Sequence, residues 1–350
     1  MARYPSHSFG RRKSRRLIYG ISALLIIAGI ISFIYGRPFG KNKETNPAGI
    51  GNIKLEKETT PPTVLPPKPV SEDIATPKPI VEPNEPKVTP VPTSEANPKV
   101  TEIINKTMEL VKISPEKIIE ARDVLNDALL LPMNNVQRAL LKKRLSELAD
   151  KWLFSRTVYP QDQLCSNYQV RAGELLQQIA GENKIPWEFL QEINGISRPE
   201  LLKSGSRIKV VHGPFHAKVS RSTFTMDVYL QRTFVRSFPV GLGQDGKETP
   251  TGLWSVKEGG KLIKPPWSDP ETGRILNYGD QGYALGSRWI ALEGLKGEAK
   301  GRTGFGIHGT VEPETIGTKS SKGCIRLHNG DVKKVYNLLS PVHSLVRVED

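Results

Sequence analysis

The spacing of apolar residues changes several times along this chain, and each change marks off a segment with its own character. Residues 17–35 form one apolar run of nineteen without a charge, close to the roughly twenty residues a helix needs to cross a bilayer core. The stretch 37–99 loses that pattern. Pro61-Pro62, Pro66-Pro67, Pro77, Pro83 and Pro90 punctuate it and aromatics are nearly absent, which predicts a disordered linker. From Val100 the apolar period becomes 3.6. Ile103, Ile104, Met108, Leu110 and Val111 open it, and Ile118, Ile119, Ala121, Leu125, Ala128 and Leu129 follow a Ser114-Pro115-Glu116 helix start. After Pro132 come Val136, Leu140, Leu141, Leu145, Leu148 and Trp152. Two or three packed helices over 100–156 are expected, as a spacer or docking unit. Within 165–212 the spacing fits a short strand, two helices and a second strand. Residues 215–349 hold short β-branched and aromatic runs broken by Gly and Pro turns, with Gln231-Arg232 marking a hairpin. The fold class is mainly β: an all-β sandwich with one late helix over 331–339, preceded by a small βααβ module.

Charge sharpens the N-terminal reading. The chain carries a net charge of +14, and residues 1–16 contribute Arg3, Arg11, Arg12, Lys13, Arg15 and Arg16 with no acid. A basic cluster ahead of an apolar run places its end in the cytoplasm. Ser32-Phe33-Ile34-Tyr35-Gly36-Arg37 is a poor cleavage sequence, so an uncleaved signal anchor over 17–36 is favoured over a cleaved signal peptide. The inner membrane is then a partner, with the bulk of the chain in the periplasm or otherwise outside the membrane. No basic stripe with interleaved aromatics, zinc spacing or phosphate loop occurs, which makes nucleic acid the weaker choice of partner.

Candidate chemistry lies near the C-terminus. The chain has two cysteines, Cys165 and Cys324; they could pair in an oxidising compartment, but Cys165 lies outside the C-terminal β region and the two are expected to stay unpaired. Cys324 follows Ser320-Ser321-Lys322-Gly323 and precedes Ile325-Arg326-Leu327, and His308-Gly309-Thr310 begins sixteen positions upstream. That supplies a soft nucleophile, a candidate base, and small residues that let a substrate backbone approach. An ordinary thiol titrates near pH ~8.5, so Cys324 is expected to be more acidic than that, with His308 and Lys322 favouring its thiolate. The alternative is a buried structural cysteine and an unrelated histidine, because such pairs are recognised by geometry.

The wording of the run goes further. His308-Gly309-Thr310 and Ser321-Lys322-Gly323-Cys324-Ile325-Arg326-Leu327 resemble the signature of YkuD-type L,D-transpeptidase catalytic domains. Gly241-Leu242-Gly243, Thr249-Pro250-Thr251-Gly252 and Leu285-Gly286-Ser287-Arg288-Trp289 agree with it. Many members carry a second histidine where Lys322 stands here. The resemblance implies a peptidoglycan L,D-transpeptidase without cofactor or metal. Cys324 would attack a tetrapeptide stem and expel its terminal D-alanine, with His308 as base, the Gly309 carbonyl orienting the imidazole, and amides near Gly323 and Cys324 holding the oxyanion. Ser321, Lys322 and Arg326 would contact substrate; Arg326 could hold a stem carboxylate or belong to a structural ion pair. An acceptor amine would complete a 3→3 cross-link or attach a protein, whereas water would make the same site an L,D-carboxypeptidase. A catalytically silent wall anchor is the reading from another class, and it needs neither Cys324 nor His308.

Residues 165–212 resemble a LysM domain, a βααβ module that binds N-acetylglucosamine-containing glycans. Tyr168-Gln169-Val170-Arg171-Ala172-Gly173-Glu174-Leu175-Leu176 and Ile193-Asn194-Gly195-Ile196 carry the likeness. The glycan contacts it implies are Gly173, Glu174, Leu175, Asn194 and Ile196. The family often has Asp and Thr or Ser at Glu174 and Leu176, and a LysM fold without sugar binding is the other reading.

Overall fold

The structure, a computed structural model, describes residues 95–350. The basic segment 1–16, the expected membrane span 17–36 and residues 37–94 of the proline-rich stretch lie outside the described residues. No helix among the described residues is long and apolar enough to cross a membrane. Pro98 sits in the first turn of α1 (Pro98–Ile113), where its missing N–H costs nothing, and the Asn97 side chain accepts from the Lys99 amide. α2 (Ile118–Ala128) and α3 (Asn135–Trp152) pack with α1 around Val100, Ile104, Leu125, Leu141, Leu145 and Trp152, all buried. Val136 and Leu140 fall off this inner stripe and are 77% and 40% exposed. Gln137 takes the inner place instead. Its amide accepts from Asn97 N–H at 2.7 Å and donates to the Asn97 carbonyl at 2.8 Å, so a polar side chain is buried with its bonds made.

The next module is β1 (Cys165–Gln169), α4 (Leu176–Glu182), α5 (Trp187–Asn194) and β2 (Arg207–Val211). The two strands pair antiparallel from Cys165 opposite Val211 to Gln169 opposite Arg207. Asn194 ties α5 to β2: its side chain accepts from the Lys209 amide and donates to the Lys209 carbonyl, both at 2.8 Å. The Lys209 ammonium is itself buried. It donates to the carbonyls of Leu153 (3.2 Å), Ser155 (3.0 Å) and Thr157 (2.9 Å), and to that of Trp152. Trp152 and Leu153 close α3, and Ser155 and Thr157 follow it, so Lys209 gathers carbonyls left open where the helix ends.

The C-terminal region contributes β3 (Phe215–Ser220), β4 (Thr225–Leu230), β5 (Thr233–Pro239), β6 (Leu242–Gly243), β7 (Gly252–Ile263), β8 (Trp267–Ser268), β9 (Ile275–Leu276), β10 (Arg288–Lys296), β11 (Phe305–His308), β12 (Lys319–Ser321), β13 (Ile325–Arg326), α6 (Asn329–Leu338) and β14 (Leu345–Glu349). Alternation along β3 buries Phe215, Ala217 and Val219, as period 2 requires. Eight strands form one sheet in the order β13-β11-β10-β7-β14-β3-β4-β5. A sandwich was expected; here one eight-stranded sheet curls, and β12 with β6 and β8 with β9 form separate two-stranded pairs. The register between β7 and β10 slips twice, between Ile290 and Leu292 and between Gly294 and Lys296, and such bulges bend a sheet. Gly241, in the link from β5 to β6, exchanges both backbone hydrogen bonds with Arg326 of β13, at 2.9 and 2.8 Å. The chain leaving one sheet edge is thereby paired to the other edge.

The helical unit is docked against this sheet. The Asn126 side chain accepts from the Phe234 amide at 2.9 Å, Lys142 pairs with Asp227 at 2.5 Å, and Arg236 pairs with Asp150. Edge strand β5 is thus covered, which blocks pairing with a second chain. Edge-to-face rings run from Phe154 to Phe189 to Phe215 at 5.9 and 5.2 Å. One apolar core therefore runs through the helical unit, the βααβ module and the curled sheet.

Candidate active site

Strands β11 and β13 run parallel, with Ile307 opposite Ile325 and His308 opposite Arg326. Because successive side chains alternate faces, Cys324 and Arg326 share a face with Gly306 and His308. Trp289 of β10 stacks on His308, with centroids 5.8 Å apart and planes 26° off parallel. Its ring also lies where a Gly306 Cβ would be, at 2.7 Å. Sequence and sheet together bring the thiol and the imidazole to one end of the curled sheet.

His308 is buried, and its Nδ1 donates to the Gly309 carbonyl at 2.6 Å. A carbonyl only accepts, so Nδ1 carries the proton and Nε2 keeps the lone pair of a neutral ring. Burial pushes this histidine down to about 4; the Gly309 bond works against that shift, and Arg326 adds to it. Burial also raises the Cys324 thiol, which the Gly306 amide and Arg326 partly offset. The expectation of an unusually acidic thiol is thereby corrected. Desolvation disfavours both charged forms, the Cys324 thiolate and the His308 imidazolium. Lys322 does not supply the expected charge either. Its ammonium pairs with Glu271 at 2.9 Å and lies 3.8 Å from Asp269, on the loop joining β8 to β9.

The remaining candidates are spent differently from one another. Ser321 is buried; its hydroxyl donates to the Cys324 carbonyl at 2.6 Å and accepts from the Gly323 amide at 3.1 Å. Ser321 therefore braces the loop, and the Gly323 amide is occupied. Gly323 has φ +115°, and a Cβ there would stand 2.7 Å from the Phe305 ring, so this position admits glycine alone without rearrangement. Arg326 makes the structural ion pair, with Glu312 at 3.1 Å, while its Nε is buried without a hydrogen-bond partner among the described residues. Both cysteines are free thiols, and Cys165 is buried in β1. No group of three or more His, Cys, Asp or Glu among the described residues could hold a metal ion.

Two residues near the site escaped the sequence reading of its chemistry. Trp289 was noted only as part of a motif, and Asn329 stands just ahead of the helix expected over 331–339. The Asn329 side chain instead bonds two loops, accepting from the Ser287 amide at 2.8 Å and donating to the Thr310 carbonyl at 2.6 Å. No local pattern could signal this, since its partners lie 42 and 19 positions away.

The candidate glycan residues divide. Gly173 (φ +79°) and Leu175 are exposed on the turn into α4. Glu174 is committed to the Tyr168 hydroxyl at 2.6 Å and the Arg171 amide at 2.7 Å. Asn194 is buried and its side chain is consumed by the bonds to Lys209 and to the Leu190 carbonyl. A sugar contact through that side chain is corrected to a structural tie. Ile196 lines an open cleft between α5 and α6 together with Glu188, Gln191, Glu192 and Asn337.

Comparison with known proteins agrees with these features. The family profile of the L,D-transpeptidase catalytic domain matches residues 214–348, and that of the LysM domain matches residues 168–211. A Bacillus subtilis (strain 168) protein assigned to the L,D-transpeptidases, YkuD, is 29% identical over 182 residues, covering 49% of this chain and 92% of its own length. Another from the same organism, YqjB, is 31% identical over 134 residues, 38% of this chain and 69% of its own. ErfK/SrfK of Escherichia coli (strain K12) is 32% identical over 163 residues, 43% of this chain and 51% of its own. A relative sharing nearly a third of its residues over more than two thirds of its own length places the chain: it belongs to the YkuD-type L,D-transpeptidases, with a LysM domain N-terminal to the catalytic one.

Proposed function

We infer that this peptidoglycan L,D-transpeptidase works through a Cys324 acyl-enzyme with His308 as general base. The carrying observation is the commitment of His308 Nδ1 to the Gly309 carbonyl, which leaves Nε2 as the proton acceptor on the strand beside Cys324. Since burial holds the thiol protonated and the imidazole neutral, no thiolate waits in the resting site. Proton transfer to Nε2 accompanies attack of Sγ on the carbonyl after the third stem residue. The C–N bond to the terminal D-alanine then breaks, and the imidazolium returns its proton to the leaving amine. An acceptor amine attacks the thioester, loses a proton to Nε2, and restores the thiol as the new amide forms. With the Gly323 amide bonded to Ser321, the oxyanion falls to the Cys324 amide. The unpartnered Arg326 Nε supports a substrate carboxylate contact.

The full chain incubated with a disaccharide-tetrapeptide and read by mass spectrometry tests this. A cross-linked dimer lacking one D-alanine is expected, with Cys324→Ala and His308→Ala both inactive. Tripeptide alone would make the enzyme an L,D-carboxypeptidase, and a Cys324→Ala protein that still turned over would remove the nucleophile.

The LysM domain supports binding to the same polymer. Residues 17–36 we assign as a membrane anchor, on their apolar length and the basic cluster before them; this puts the enzyme domains outside the cytoplasmic membrane. Protease added to intact spheroplasts should cut the stretch 37–99 and leave residues 1–16 protected. A mature N-terminus near Arg37 would refute the anchor.

A further inference from the structure

The geometry points to Asn329 as the positioning residue of the catalytic base, a clamp that ties the Thr310 carbonyl to the Ser287 turn so that the Gly309 carbonyl, one peptide earlier, faces His308. This rests on His308 as the base. The Asn329 side chain spans two loops that are also joined by the backbone bond from the Gly309 amide to the Arg288 carbonyl at 3.3 Å. Its Oδ1 accepts from the Ser287 amide at 2.8 Å and its Nδ2 donates to the Thr310 carbonyl at 2.6 Å. The Gly309 carbonyl, one residue before the clamped Thr310 carbonyl, receives His308 Nδ1 at 2.6 Å. The closeness of the fit is written into two glycines. A Cβ on Gly309 would stand 2.2 Å from Asn329 Oδ1, and one on Gly286 would stand 2.4 Å from it. Both glycines therefore make room for the clamp.

The chemistry explains why an amide suits this place. Ser287 offers a donor and Thr310 an acceptor, so the bridging group must accept on one side and donate on the other. Aspartate can only accept when ionised, and it would set an anion against the Thr310 carbonyl. Alanine would leave both partners unmet. Either change unties Thr310 and so loosens the Gly309 carbonyl just before it, and a base misplaced by about 1 Å costs up to about 100-fold in rate. Asn329 begins α6, whose Val332 and Val335 are anchored in the core, so the clamp is held by a packed helix.

The test uses the full chain and three readouts. Asn329→Ala and Asn329→Asp should lower kcat roughly 10- to 100-fold with KM within about twofold. The Nδ1–H resonance of His308, slow to exchange in the native protein because it is buried and bonded, should broaden or vanish in both variants. The Trp254 indole resonance, from a buried ring, should persist and report that the sheet remains folded. Normal kcat in folded Asn329→Ala overturns the clamp, as does a low kcat with an unchanged Nδ1–H signal. Should the single variants fold poorly, a double-mutant cycle decides. Gly309→Ala collides with Asn329, so it should cost less in the Asn329→Ala background than in the native one; equal costs overturn the proposal. His308→Ala separates the two readings. Retained activity in that variant would mean the base is elsewhere, whereas an inactive His308→Ala beside a normal Asn329→Ala would discard the clamp alone.

Discussion

At Cys324 and His308 the deciding quantity is the direction in which burial moves two protons. Residue types alone suggested a thiolate assisted by two neighbouring cations. Packing removed both forms of help: Lys322 turned to Glu271, and His308 became buried and neutral. Alkylation of Cys324 by iodoacetamide should therefore keep rising through pH 9, because a raised thiol pKa leaves little thiolate below it. A plateau with a midpoint below pH 8 would restore the ion-pair picture. The identity of the pair was legible in the sequence, since the Gly323-Cys324 and His308-Gly309 wording is local. Its protonation was not, because desolvation is a sum over residues such as Trp289 and Arg326 that meet only across strands.

Among the elements, period governs which helices and strands form, and partners govern which face turns inward. The α3 stripe Leu141, Leu145, Leu148 and Trp152 follows from 3.6 spacing. Its first turn departs from that logic, since Gln137 is buried and Val136 exposed. Hydrophobicity cannot foresee a glutamine that satisfies both backbone groups of Asn97. Lys209 is the same lesson on a strand. Read in sequence it is one more polar residue of β2, yet its ammonium collects four carbonyls at and after the end of α3. Lys209→Met should lower unfolding stability by about 2–4 kcal/mol, because it leaves buried acceptors unmet. Urea denaturation of the full chain measures this, and an unchanged midpoint would show that water reaches those carbonyls.

For the whole molecule, acid is the informative stress. His308 and His216 are each pushed down to about 4 by burial, and His343 moves in the same direction. His216 Nδ1 accepts from the Leu345 amide at 3.1 Å, a bond only the neutral ring can make. In the unfolded chain these rings titrate near 6.5. Below that value the unfolded state binds protons that the folded state refuses, so stability is full above about pH 6.5 and falls as pH drops toward 4. His308 and His216 should each contribute on the order of 1–3 kcal/mol. Urea midpoints that coincide at pH 7 and pH 5 would contradict this. The sequence by itself determined the mainly β class, the LysM and L,D-transpeptidase resemblances and the pairing of Cys324 with His308 as candidates, because strand alternation, turn residues and motif wording are properties of neighbouring positions. Tertiary structure alone decided that the sheet curls until Gly241 meets Arg326, that the helices dock on β5, that Asn194 serves as a brace, and that Asn329 clamps the loop behind the base. Each of these depends on groups far apart in the chain meeting at hydrogen-bond distance, and that meeting is set by the shared core.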